Sequence, residues 1–197
     1  MGETVKTSIM NMFNQTRNRA ARERAAEYAT RCDFEKIFTE DMTTLHLLAF
    51  LLTADQAKAE RCFVAGLEES TQGNPVFRQW ARSWSKRAII RNAIKIMAPA
   101  PGQPSPASVS PDMPKESPER DALIASVTEL EPLQRFVFVM SVLEGYSVNE
   151  CATLLSCTVQ EVAQARSFAL GRIATAPTPA YKISSAPLLA QAQARTT

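Results

Sequence analysis

Residues 147–172, with the sequence SVNECATLLSCTVQEVAQARSFALGR, carry the most specific structural signal in the chain. Ser147-Val148-Asn149-Glu150 has the S-x-x-E pattern of a capping box, in which the first and last side chains bond each other's backbone N–H at a helix start. Thr158-Val159-Gln160-Glu161 repeats the pattern after a break of Ser156 and Cys157. Two capped helices with so short a break must cross steeply, as in a helix-turn-helix. The small crossing residue and the apolar core of this pair are expected to be Ala152, Leu154, Leu155, Val159 and Val162.

The segment before this pair contains an apolar run, Phe136–Met140, which by itself resembles a strand. Its flanks favour a helix, because Pro132 suits a first helical turn and apolar residues continue to Gly145, which suits a helix end. We therefore expect a helix from Pro132 to Gly145, within a helical block that runs from about Pro118 to Ile173.

Another helical block lies upstream, between Asp33 and Met97. Its apolar residues recur at helical spacing, and the period-two alternation of a half-buried strand is absent. Asp55 is placed to cap one helix, and Pro75 suits the first turn of a long helix after a turn at Gly73. The apolar stripe of that long helix is expected to be Val76, Trp80, Trp84, Ala88, Ile90 and Ile94. The predicted fold class is all-α, with two small helical domains.

Proline marks the boundary between the two blocks, since seven of the twelve prolines lie between Pro99 and Pro118. Each proline fixes φ and removes a backbone donor, so we interpret this stretch as a solvated linker. We predict a flexible basic N-terminal arm, a helical domain, a Pro-rich linker, a helix-turn-helix domain and a disordered tail, at residues 1–32, 33–97, 98–120, 121–173 and 174–197. The arginines of the arm either keep it soluble or bind a partner.

The composition argues against several classes of function. His46 is the single histidine, so we expect neither an enzyme nor a metal or other cofactor. The longest apolar stretch is too short for a membrane span and the N-terminus has no secretory signal, which predicts a cytoplasmic protein without a membrane partner. The cysteines, which form no C-x-x-C pair, are interpreted as small buried hydrophobes, with a redox switch between Cys151 and Cys157 as the alternative.

Five segments of the second block form a familiar pattern: LEPLQR at 130–135, VF at 137–138, LEGYS at 143–147, ECA at 150–152 and LL at 154–155. With these segments the block resembles the C-terminal domain (region 4) of bacterial RNA polymerase sigma factors, of the extracytoplasmic-function (ECF) class. The first block has DFEKI at 33–37 and LLTAD at 51–55, and it resembles the N-terminal (region 2) helical bundle of that family. Its Trp80, Trp84, Ile90, Arg91 and Asn92 are similar to the W…I-x-R-N signature of the promoter-melting helix.

This resemblance implies a transcription initiation factor that binds core RNA polymerase and promoter DNA and performs no covalent chemistry. The C-terminal domain would read the −35 element, the N-terminal domain would help to open the −10 region, and an anti-sigma factor is a further implied partner. The expected DNA contacts of the recognition helix are Thr158, Gln160, Gln164, Arg166 and Ser167. Those of the first block are Trp80, Trp84, Arg87, Arg91 and Asn92.

Two departures from the family pattern favour a different function. Arg61 and Val64 stand where the family has an acidic residue and a glutamine that grip the polymerase clamp. Family members place lysines and arginines at the positions that here hold Ala163, Ala165, Phe168 and Leu170. Phosphate contacts by such cations supply most non-specific DNA affinity. The alternative is therefore a sigma-like decoy or adaptor that binds polymerase or a regulator without promoter recognition.

Several side chains have two interpretations from sequence alone. Trp80 and Trp84 either stack on unpaired bases or belong to the core. Arg166 either reaches DNA or extends along the apolar face. Five cations without an interleaved acidic residue form either a DNA-backbone stripe or a solvated face: Arg82, Lys86, Arg87, Arg91 and Lys95.

Overall fold

A computed structural model describes residues 27–102 and 118–175, and within these ranges every regular element is helical. The N-terminal block contains α1 (Arg31–Glu40), α2 (Met42–Thr53), α3 (Gln56–Gln72) and α4 (Ala81–Met97), with a 3₁₀ turn at Arg78–Trp80. The C-terminal block contains α5 (Pro118–Thr128), α6 (Pro132–Phe138), α7 (Val148–Leu155) and α8 (Val159–Thr175), with a π-helical turn at Val139–Leu143. The all-α prediction is confirmed.

The N-terminal block begins slightly earlier than its predicted start at Asp33. Thr30 caps α1 in a capping box with Asp33, so Arg31 and Cys32 belong to the helix and not to the arm. The predicted cap at Asp55 is confirmed, because its carboxylate accepts the Lys58 N–H at 2.9 Å. The remainder of the predicted arm, most of the linker and most of the tail lie outside the described residues.

Helices α3 and α4 make a close approach at Gly66. A Cβ atom at this position would stand 2.8 Å from Ile89 Cγ1, which is closer than two carbon atoms can pack. Glycine at position 66 therefore permits the spacing of the two helices that carry most of the block's charged residues.

The expected start of the long helix at Pro75 is wrong. Residues 73–77 are not helical, and α4 begins at Ala81 after the 3₁₀ turn. The Ala29 N–H bonds the Val76 carbonyl at 2.7 Å, and the Tyr28 and Phe77 rings stack at 4.7 Å. These non-local contacts hold the segment extended, and a helix through Pro75 would lose them.

The apolar run of the C-terminal block is a central helix that is buried all round. Five consecutive residues, Phe136–Met140, have at most 4% of their surface exposed, which requires neighbours on every side of α6. The expected regular helix to Gly145 is only partly correct, because residues 139–143 widen into the π-helical turn. There the Glu144 N–H bonds the Val139 carbonyl at 3.0 Å.

The two blocks are in direct contact, which the prediction of a flexible linker did not foresee. Arg135 of α6 is fully buried, and its Nε donates to the Leu52 carbonyl in the last turn of α2 at 3.1 Å. Its Nη1 donates to the carbonyls of Leu130 and Thr128 at 2.9 and 3.2 Å. Burial lowers the pKa of Arg135 to about 10, so the side chain is still a cation at neutral pH. One guanidinium thus joins both blocks.

Candidate nucleic-acid interface

Both capping boxes predicted for the helix-turn-helix are present. Ser147 Oγ accepts the Glu150 N–H and the Glu150 carboxylate accepts the Ser147 N–H at 2.8 Å. Thr158 and Glu161 repeat the arrangement at the start of α8, with the Thr158 N–H 2.8 Å from the carboxylate. The turn between the helices places Ser156 at a φ of 54°, in the left-handed region.

Helix α8 is anchored by one face and exposes the other. Val162 of α8 and Ala152 of α7 are buried, as predicted, and Ala165 and Ala169 of α8 are buried too. The prediction that Val159 belongs to the core is wrong, since about half of its surface is exposed. It is the first residue of α8 and lies at the edge of the buried face.

Three of the predicted recognition residues lie together on the outer face of α8. Gln160, Gln164 and Ser167 are exposed at spacings of four and three residues, which aligns them along one side of the helix. Thr158 is also exposed, but its hydroxyl is bonded to Glu161. Arg166 is set apart from this row, because it is half-buried and its Nε has no hydrogen-bond partner among the described residues.

The cations of α4 are largely paired with acidic side chains from other parts of the chain. Arg82 pairs with Glu40 and Asp41, and Lys86 Nζ lies 2.9 Å from the Glu144 carboxylate. Arg91 and Lys95 share Glu69 of α3, at 2.6 and 3.3 Å. Within residues 27–102 and 118–175, Arg87 is the member of this stripe for which no ion pair is found.

The first-block residues predicted to contact DNA are not equally accessible. The indole of Trp80 has 56% of its surface exposed, and Arg87 is exposed. Trp84 is half-buried under the Arg91 guanidinium, which lies 4.7 Å from its ring centre. Asn92 is buried, and its amide donates to Glu69 and to the Ala88 carbonyl at 2.8 and 2.9 Å. Asn92 and Arg91 would have to leave these partners in order to reach DNA.

Two features of this region could not be read from single motifs. Glu69 pairs with Arg91 and Lys95 of α4, which lie more than twenty positions later in the sequence. The only sequence signal for this pairing was the place of Glu69 in the acidic end of α3. Phe168 and Leu170 are exposed apolar residues on α8. The sequence showed that cations are missing at these two positions, but not that the apolar side chains are exposed.

The two cysteines of the helix-turn-helix are poorly suited to redox chemistry. Burial raises the pKa of the Cys151 thiol to about 11, and burial also raises the pKa of Cys157. The reactive thiolate is therefore scarce at neutral pH. This observation favours the interpretation of Cys151, which is buried, as a small hydrophobic residue.

A comparison with protein families matches residues 120–173 to the family described as Sigma-70, region 4. This part of the chain is sigma-factor-like. The matched segment contains the whole helix-turn-helix, and α5, α6 and the π-helical turn support it. Neither the curated proteins nor the solved structures gave a match. None of the helices between residues 27 and 102 or between 118 and 175 combines the length and hydropathy of a membrane span.

Proposed function

We propose that this chain is an ECF-type, sigma-factor-like transcription initiation protein that binds core RNA polymerase and promoter DNA. The observation that carries the proposal is the exposed row Gln160, Gln164 and Ser167 on α8, within a segment that matches sigma-70 region 4. Gln164 and Gln160 belong to this row, and a glutamine amide can bond the N6 and N7 atoms of adenine in the major groove. The first block acts as the region 2-like domain at the −10 element.

The sigma-like domain is expected to bind DNA weakly when it acts alone. Helix α8 carries only Arg166 and Arg172 as cations, and Glu161 at its start repels phosphate. Each phosphate contact contributes about one unit to the slope of log K against log salt. With only two cations, α8 can make few such contacts. Core polymerase would supply the missing affinity by holding both blocks on one promoter.

Run-off transcription with reconstituted core polymerase tests the proposal. We expect transcripts from at least one genomic promoter of the host. Gln164→Ala should relax the preference at one base pair of the −35 element, by roughly 1–3 kcal/mol, and leave other positions unchanged. Gln72→Ala, an exposed glutamine at the end of α3, is the matched control and should change nothing.

A second experiment separates a DNA-backbone contact from a structural ion pair on α4. Arg87→Ala should lower the salt slope of DNA binding by about one unit, because its guanidinium is exposed. Arg91→Ala should leave the slope nearly unchanged, because Glu69 already neutralises this arginine. Equal slopes for all three proteins would remove α4 from the DNA interface.

The exposed apolar residues of α8 support the second candidate function, a sigma-like decoy or adaptor. Phe168 has 56% of its surface exposed where the family has cations, which suits a protein partner better than a phosphate backbone. On the outer face of α3, Arg61 and Val64 are exposed at the positions that resemble the clamp contact. Purification with polymerase subunits but repeated absence of transcripts would favour this function, and Phe168→Ser should then weaken the association.

A further inference from the structure

A cleft of about 810 Å³ lies between the two blocks, on the side of α4 that faces the turn between α6 and α7. Residues from the 74–87 segment form one wall, and Glu144, Gly145, Tyr146 and Glu150 form the other. Sites for small organic molecules range from about 300 to 1,000 Å³. The cleft therefore has the size of a small-molecule site.

An aromatic platform occupies the N-terminal wall of this cleft. Trp80 is held edge-on against Phe77 at 5.1 Å, and Phe77 in turn stacks on Tyr28 at 4.7 Å. More than half of the Trp80 side chain nevertheless remains exposed. An indole that is fixed by its neighbours and open on one side can stack on a flat ring at little entropic cost.

The same wall carries a further cation, Arg87. The pKa of Glu150 on the opposite wall is lowered by its hydrogen bonds from Ser147 and, to a smaller degree, by the charge of this arginine. Arg82 is paired with Glu40 and Asp41, and Lys86 with Glu144. Arg87 lines the cleft beside them, and no ion pair is found for it within the described ranges. The planar guanidinium can donate two parallel hydrogen bonds to a phosphate or carboxylate group.

We propose that the cleft binds a nucleoside monophosphate, with its base against Trp80 and its phosphate on Arg87. Ser83 and Tyr146 also line the cleft, and their hydroxyls can bond a ribose. Both oxygens of the Glu144 carboxylate on the opposite wall accept from Lys86 Nζ, at 3.1 and 2.9 Å, and each keeps a further lone pair that can accept from the exocyclic amine of adenine. This chemistry favours AMP over UMP, which lacks such an amine.

Binding in this cleft requires neither promoter nor polymerase, so it is independent of the proposed function. The effect of nucleotide binding on DNA binding, in contrast, rests on the proposed function. A nucleotide on Arg87 occupies the α4 cation proposed to contact the DNA backbone, so nucleotide and DNA would compete. The chain would then be a transcription factor whose promoter affinity falls as the nucleotide concentration rises.

Intrinsic fluorescence of the full chain tests the proposal directly, because both of its tryptophans, Trp80 and Trp84, line the cleft. Titration with AMP should give a saturable change, and UMP should bind more weakly. Arg87→Ala should weaken AMP binding roughly tenfold, as expected for one charged hydrogen-bond partner. Trp80→Leu should weaken it by a similar factor, measured by calorimetry because this variant loses one reporter.

Arg31→Ala, which removes an exposed cation of α1 that pairs with Glu35 and does not line the cleft, is the control and should bind AMP like the parent. Trp80 and Arg87 are both exposed, so circular dichroism should show all variants folded. The proposal is overturned by any of four results: no saturable change at millimolar AMP, equal binding of adenosine and AMP, binding of benzoate as tight as that of AMP, or binding of single-stranded oligonucleotides alone. An equal loss in Arg87→Ala and Arg31→Ala would overturn it as well.

Discussion

Glu69 controls how much positive charge α4 presents to a polyanion. Its carboxylate bonds Arg91, Lys95 and the Asn92 amide at 2.6, 3.3 and 2.8 Å, so one acidic residue of α3 holds three polar residues of α4. About a quarter of the Glu69 side chain is exposed, and a pair in such a position is less screened by salt than one on the open surface. Much of the cationic stripe is therefore neutralised within the fold.

We predict that Glu69→Gln increases the non-specific DNA affinity of the chain. The change frees Arg91 and Lys95, and the slope of log K against log salt should become steeper by about one to two units. Glu68→Gln makes the same change of net charge on the same helix at an exposed position without these partners. A salt titration that gives both variants the same slope would show that the ion pairs of Glu69 do not restrain the stripe.

At the scale of the element, the two helices of the helix-turn-helix depend on carboxylates at their starts. The N–H and hydroxyl of Ser147 bond Glu150, and those of Thr158 bond Glu161. Hydrogen bonds from the backbone N–H, and then from the hydroxyl, hold the pKa of both glutamates below the ordinary value. Folding therefore favours the ionised form of each glutamate.

This shift has a defined sign in the pH dependence of stability. A lowered pKa in the folded state stabilises the protein above the ordinary carboxylate pKa, and the contribution is lost as pH falls through the lowered value. In the double variant Glu150→Gln and Glu161→Gln, glutamine still caps but does not titrate. Its melting temperature should fall less than that of the parent between about pH 6 and about pH 3. Glu68→Gln, at an exposed position inside α3, should keep the parent's acid dependence.

The sequence allowed correct predictions where the deciding contacts are local. Each capping box lies within four residues, and the helix of the apolar run was indicated by its own flanks, Pro132 and Gly145. The error at Pro75 has a non-local cause, whereas Val159 is exposed because it is the first residue of α8. Tyr28 and Ala29 lie almost fifty positions earlier in the sequence, and their contacts hold the Phe77 segment extended. No pattern around Pro75 indicates these contacts. For the site, the exposed row Gln160, Gln164 and Ser167 was predictable from helical spacing, whereas the partners of Arg91 and Asn92 were not.

At the scale of the whole molecule, Arg135 connects the C-terminal block to the end of α2. The charged donor satisfies carbonyls from both blocks, and the buried residues of both blocks form one continuous apolar cluster. A domain boundary that is clear in composition is therefore not a boundary in packing.

We predict that Arg135→Met lowers the free energy of unfolding by about 2–4 kcal/mol, because three buried carbonyls lose a charged donor. Urea denaturation should show a lower midpoint and one transition for both blocks. Arg172→Met, at an exposed position of α8, should cost less than about 0.5 kcal/mol. Equal midpoints for the two variants would mean that Arg135 does not hold the blocks together.

The guanidinium contact with Leu52 also bears on how the sigma-like segment should be produced for experiments. A truncated protein cut between the blocks would expose the apolar surface of α6 to water and leave Arg135 without its acceptor on α2. Such a fragment should express poorly or self-associate, even though it contains every residue of the helix-turn-helix. Biochemical work on this segment will need the uncut polypeptide.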